Sequence, residues 1–142
     1  MNSDLFNDFL NSTNTLQIYA EDKLVFSSDK DRLRPLLEYL GEVADPPPQV
    51  VIFDRVVGNA AALLAVRANS IEIYSPMGSE LAVESLDKYG IKHHFNEIVP
   101  YIQQPNKEMC PMEKLSLGKT PEEFHETMKN LIKGGSQANG KD

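Results

Sequence analysis

VVIFDRVVGNAAALLAVRANSIEIYSPMG, Val50 to Gly78, has the pattern strand, loop, helix, strand, loop. Val50, Val51, Ile52 and Phe53 form a short continuous apolar run, the pattern of a strand buried on both faces, and Ile71 to Tyr74 repeats it. Between them Val57 to Ala68 is apolar at nearly every position, with Arg67 as its one charge, so the helix predicted there must be covered on most sides. Strand, helix, strand in that order makes the two strands neighbours in a parallel sheet. Asp54, just after the first strand, is suited to meet the helix N-terminus, where a carboxylate gains about 0.3–1 kcal/mol.

Upstream, Leu5, Phe6, Phe9 and Leu10 have helical spacing, with Ser3 as an N-cap, and predict a short docking helix. Leu16, Ile18, Leu24 and Phe26 alternate around a polar AEDK turn and predict an antiparallel hairpin. Ser28, Asp29 and Asp31 offer caps for a helix carrying Leu33, Leu36, Leu37 and Leu40, with Pro35 in its first turn and Gly41 closing it in a left-handed conformation. Downstream, Leu81, Ala82, Leu86 and Tyr89 give an amphipathic helix that starts near Ser75, Gly78 or Ser79 and ends at Gly90. Ile91 to Phe95 is a weaker strand, and Ile98 to Ile102 a further edge segment. Cys110-Pro111-Met112-Glu113 opens a short helix, and Thr120-Pro121-Glu122-Glu123 is a capping box that starts the last one, with Phe124, Met128 and Leu131 facing inward. Residues 1–133 are expected to form one three-layer α/β/α domain, with 134–142 an unstructured tail.

Composition narrows the function. The 142 residues carry a net charge of −7, which argues against non-specific binding to nucleic acid or anionic membranes. Cys110 is the single cysteine, so no intramolecular disulfide framework exists. The N-terminus lacks a basic segment followed by an apolar core, and no apolar run reaches the ~18 residues of a membrane span. A cytoplasmic location is expected.

A hairpin feeding alternating helices and strands resembles the cytidine-deaminase-like fold. The strings VVIFDRVVGNAAALL, YSPMGSELA and MCPMEKL are similar to a small bacterial family of uncharacterised proteins assigned to that fold, over roughly Leu16 to Met128. In zinc deaminases a His/Cys-x-Glu motif begins the helix after the hairpin and Pro-Cys-x-x-Cys begins the next. Here those starts read Ser28-Asp29-Lys30-Asp31 and Asp54-Arg55-Val56-Val57-Gly58, with no His or Cys. Aligning Ser75-Pro76-Met77-Gly78-Ser79-Glu80 instead puts Met77 and Glu80 where thiolates belong. A catalytic zinc needs three suitable protein ligands. None is expected.

Three helix starts, at Ser28 to Asp31, Asp54 to Asn59 and Ser75 to Ser79, are expected to open at the carboxyl edge of the sheet, where open α/β sheets bind ligands. Free N–H groups there, with Ser28, Asp29, Asp54, Arg55, Gly58, Asn59, Ser75, Gly78 and Ser79, suit a nucleotide or another phosphate-bearing ligand. Taken singly, each of these residues also reads as a helix cap. Arg55 either pairs with a carboxylate or meets the anion. His93 and His94, adjacent on a strand, point to opposite faces, and His125-Glu126 lacks the second His of a zincin helix and reads as surface. Cys110, before Pro111 at a helix start, is the candidate nucleophile, expected in the same crevice. Three functions follow: a phosphate-ligand-binding domain without zinc chemistry, an enzyme using Cys110 with Asp54 or Arg55 assisting, or a non-catalytic module that forms homo-oligomers.

Overall fold

In the computed structural model the backbone is described for residues 2–140 and side chains for residues 2–132. The elements are α1 (Asn2–Leu10), β1 (Leu16–Ala20), β2 (Lys23–Ser28), α2 (Arg34–Glu42), β3 (Val50–Asp54), β4 (Val56–Val57), α3 (Asn59–Arg67), β5 (Ser70–Ser79), α4 (Glu80–Lys88), β6 (Lys92–Val99), α5 (Pro111–Ser116) and α6 (Pro121–Gly140). Where an unstructured tail was expected from 134, the backbone of α6 runs helical through Gly140; the side chains from 133 on, and residues 141–142 altogether, lie outside the described residues.

The fold is mixed α/β around a six-stranded open sheet. The hairpin β1–β2 turns through Glu21 (φ 51°) and Asp22 (φ 66°), the two left-handed positions of a type I′ turn whose twist suits paired strands. β1 pairs antiparallel with β3, and β3 pairs parallel with β5, so the Val50 strand sits in the middle as expected. β4 resumes the line of β3 after Arg55 and pairs with Met77 and Gly78 near the end of β5, while β6 runs along the other side of β5.

Helix α3 is the buried centre. Asn59 to Ala65 are all buried, and the helix joins Leu16, Ile18, Val50, Ile52 and Ile73 of the sheet to Leu36, Tyr39, Leu86, Phe124 and Met128 of α2, α4 and α6. Both helices that connect parallel strands, α3 and α4, therefore lie on one face. Helices on both faces by right-handed crossovers were expected, but the strands advance in one direction, β3 to β5 to β6, and a right-handed rule then returns every crossover to the same side. The opposite face is covered by α1, whose Phe6 and Phe9 pack on Phe53, with Tyr19 and Tyr74 at the margin.

Several local expectations are corrected. Ser3 lies inside α1, not at its cap. Helix α2 starts at Arg34 with Leu33 at its N-cap, so Ser28, Asp29 and Asp31 do not cap it, and Gly41 is helical, with Val43 closing the helix. Val57 belongs to β4, so α3 begins two residues late. Ile71 is exposed. Lys92–Val99 is one continuous strand, where two segments were expected. The Thr120/Glu123 capping box forms, but Leu131 is exposed and His125 is buried, its side chain held near neutrality by desolvation and by Lys129 and Arg67.

Candidate functional site

At the carboxyl end of β3 the chain leaves a cleft of about 370 Å³. Its walls come from Thr15 before β1, Asp31 to Leu33 before α2, Asp54 to Val56, Gly58 with Ala60 and Ala61 of α3, the loop Ile102 to Pro105, and Cys110 to Glu113 at the start of α5. Leu33, Val56, Ala60, Ala61, Ile102 and Met112 make much of that wall apolar. Asp54 and Glu113 are its buried charged side chains. The position follows from topology. β1 runs antiparallel to β3, so Leu16 lies opposite Asp54 and the chain before β1 reaches the same edge as the strand ends.

Asp54 faces into this setting with its Oδ1 accepting the N–H of Arg55 at 2.8 Å. Burial pushes its carboxyl from 3.8 up to about 8, against the lowering effect of the Arg55 and Val56 N–H groups and the Arg55 charge. A carboxyl in that range is mostly protonated at neutral pH and both donates and accepts a hydrogen bond.

Glu113 takes the place expected of Asp54. Its Oε1 accepts the N–H of Asn59 at the start of α3, and its Oε2 accepts the N–H of Ile102 at 2.9 Å. Gly58 permits this approach, because a Cβ there would lie 2.7 Å from Glu113 Oε1. Glu113 carries no site signal in the sequence. The spacing Cys110-x-x-Glu113 reads as a cap for its own helix, whereas the carboxylate reaches another helix 54 residues away.

Arg55 lines the cleft, but its guanidinium is committed elsewhere. Nε and Nη2 donate to the carbonyl of Asn14, Nη1 to Leu10, and Nη2 also to Phe9 and Ser12, at 2.8–3.3 Å. Its carbon stands 4.3 Å from the centroid of the Phe9 ring. These carbonyls close the C-terminal end of α1, where a cation is favoured.

Of the residues expected at the crevice, Asp54, Arg55, Gly58 and Cys110 line it, and Asn59 lies just behind, bonded to Ser116 and Ser85. The others do not join them. Ser28 Oγ accepts the N–H of Lys30, and Asp29 is exposed outside the cleft. Ser75 is buried within β5 and bonds to Met77, Gly78 abuts the ring of Phe95, and Ser79 caps α4 by accepting from Ala82. The reason is strand length: β5 continues from Tyr74, the partner of Phe53, to Ser79, and carries the start of α4 past the cleft. Thr15, Arg32 and Gln104 were not foreseen, since they come from loops with no periodic signal, and Leu33 and Ile102 were read only as part of a helix stripe and an edge segment.

A deaminase-type zinc does not fit these residues. Both Glu113 oxygens are held by backbone N–H groups, and among the described residues no three His, Cys, Asp or Glu side chains lie together as a metal site requires. His93 bonds toward Asp87 and His94 toward Glu72, on opposite faces of β6 and away from the cleft.

The chain has a structural counterpart. A crystal structure of a DUF1893 family protein (TM1506) from Thermotoga maritima, at 2.70 Å, matches with a TM-score of 0.81 and 25% identity over 91% of this chain and 88% of that one. No curated protein matches. Residues 6–132 match the family described as TM1506, domain of unknown function (DUF1893). With nearly all of its length inside that match, the chain belongs to the DUF1893 family.

Proposed function

We propose that this chain binds a nucleotide or another phosphate-bearing small molecule in the cleft at Asp54, on a cytidine-deaminase-like scaffold that performs no zinc chemistry. The observation that carries the reading is Asp54 itself, a buried carboxyl with a strongly raised pKa in an apolar-lined cleft. Burying this carboxyl carries a desolvation cost that the Arg55 and Val56 N–H groups and the Arg55 charge offset only in part; such groups cluster where a ligand completes them. The cleft volume suits a small organic ligand, and the carboxyl edge of the sheet suits its location. Support for the deaminase-like scaffold comes from the antiparallel hairpin beside a run of parallel strands. Arg32, on the exposed rim, is the cation nearest to hand for a phosphate.

The test combines mass spectrometry of freshly purified protein with thermal shift against nucleobases, nucleosides and nucleotides. A ligand at about 100 times its Kd should add roughly 2.7 kcal/mol to stability and raise the midpoint, and Asp54→Ala should abolish the rise. A full panel without a shift, on protein that retains no small molecule, would sink the reading.

A second reading rests on Cys110 lining the same cleft as Asp54. In it the chain is an enzyme whose thiolate attacks an electrophilic ligand while Asp54 exchanges the proton. Iodoacetamide labelling against pH decides: a midpoint well below the ~8.5 of a free thiol, with protection by ligand, supports it, and an ordinary midpoint removes it.

A further inference from the structure

We infer that the cleft grips the uncharged end of its ligand, a ring or amide edge that pairs with Asp54, and leaves any phosphate outside at the rim. This rests on the binding reading above and specifies which part of the ligand confers affinity. The anion seat that a helix N-terminus would offer is already filled by the chain itself. Glu113 holds the Asn59 N–H at the start of α3 and the Ile102 N–H beside it, is buried, and has Gly58 pressed against it. A phosphate placed there would have to displace one carboxylate and lie against its charge. Helix α5 offers no substitute, since it is a six-residue helix that opens with Pro111, which has no N–H.

Nor, among the described residues, does the interior of the cleft hold a free cation. The guanidinium of Arg55 is spent on the carbonyls that end α1. Thr15 Oγ1 donates to the carbonyls of Ser28 and Lys30, and Gln104 Nε2 donates to the carbonyl of Met109. What remains directed at a ligand is the Asp54 carboxyl, with the Cys110 thiol on the same wall, among the apolar groups of Leu33, Ile102 and Met112. Such a wall receives a flat, neutral group and selects it by one paired hydrogen-bond edge, because a mismatched polar edge there would stay unsatisfied. A phosphate attached to that group extends toward Arg32 and solvent, where its attraction is screened.

The experiment is isothermal titration of the unmodified full chain with uridine, cytidine and adenosine, with their 5′-monophosphates, and with inorganic phosphate. At least one nucleoside should bind, its monophosphate should bind within about threefold of it as expected for an exposed charge pair, and inorganic phosphate should neither bind nor compete. Asp54→Ala should weaken nucleoside and nucleotide alike by about tenfold or more. A monophosphate that binds more than about tenfold tighter than its nucleoside, or competition by inorganic phosphate, overturns this inference and leaves the binding reading standing. No binding by any probe overturns both. The comparison on the unmodified chain decides even where Asp54→Ala fails to fold.

Discussion

Asp54 and Glu113 are two buried carboxyls that meet opposite fates in one cleft. Glu113 receives a backbone N–H on each oxygen, and Asp54 sits where burial outweighs the N–H groups of Arg55 and Val56 and the Arg55 charge. The stability consequence has a definite sign. A carboxyl raised from 3.8 to about 8 on folding binds its proton more tightly in the folded state, so its contribution is complete below about pH 4 and is lost as pH rises through 8. Across that window stability should fall by up to about 1.4 kcal/mol per pH unit from this group alone. Denaturant unfolding from pH 5 to 8.5 should show the decline, and Asp54→Asn should flatten it; a parent and variant with parallel profiles would refute the assignment. Gly58 gives the second residue-scale prediction. Alanine there would press on Glu113 and Ile102, so Gly58→Ala should cost about 1–3 kcal/mol although the backbone angles permit any residue. An unchanged denaturation midpoint would show that Glu113 moves aside freely.

At the scale of elements, legibility followed burial. The apolar run 57–68 announced a covered helix because nothing but packing on most sides explains so few polar positions, and Glu21-Asp22 between alternating residues announced the hairpin. Boundaries failed where tertiary contacts decided them. Gly41 stays helical and the helix closes at Val43, whose N–H bonds to the Tyr39 carbonyl, and β6 runs through Asn96 and Glu97 because an edge strand tolerates polar residues on exposed positions. The site was legible in part for the same reason. Asp54 and Cys110 stand next to recognisable elements, but nothing in the sequence shows that Glu113 crosses to α3 or that Arg55 turns back to α1. That last contact makes a prediction. Arg55 ties α1 to the sheet through charge-assisted hydrogen bonds, and Arg55→Ala leaves those carbonyls without their partner. The variant should lose about 1.5–3 kcal/mol, with hydrogen exchange rising first in residues 2–14. Protection in α1 equal to the parent's would show that the aromatic packing of Phe6 and Phe9 alone holds it.

For the whole molecule, one-directional strand order leaves a lopsided architecture, with α2, α3, α4 and α6 massed on one face and α1 alone on the other. The sheet is also open at both margins. β2 forms one edge and β6 the other, and each presents exposed apolar side chains: Leu24 and Val25 on β2, Ile98 on β6. Unpaired strands of this kind are templates for pairing with another copy. Opposing that, the net charge of −7 repels copies at neutral pH, with Debye screening setting the range of the repulsion. Association should therefore depend on charge. Sedimentation velocity at pH 7.5 and low salt should show monomer, and heavier species should grow as salt is raised or as pH approaches the isoelectric point near 4.9. Val25→Lys on β2 and Ile98→Lys on β6 locate the contact, since a buried edge that gains an unpaired ammonium cannot close. If the homo-oligomer reading holds, one of the two substitutions should keep the chain monomeric under the conditions that assemble the parent, while the nucleoside titration at Asp54 stays unchanged. Assembly that ignores salt, pH and both lysines would place any interface elsewhere than the sheet edges.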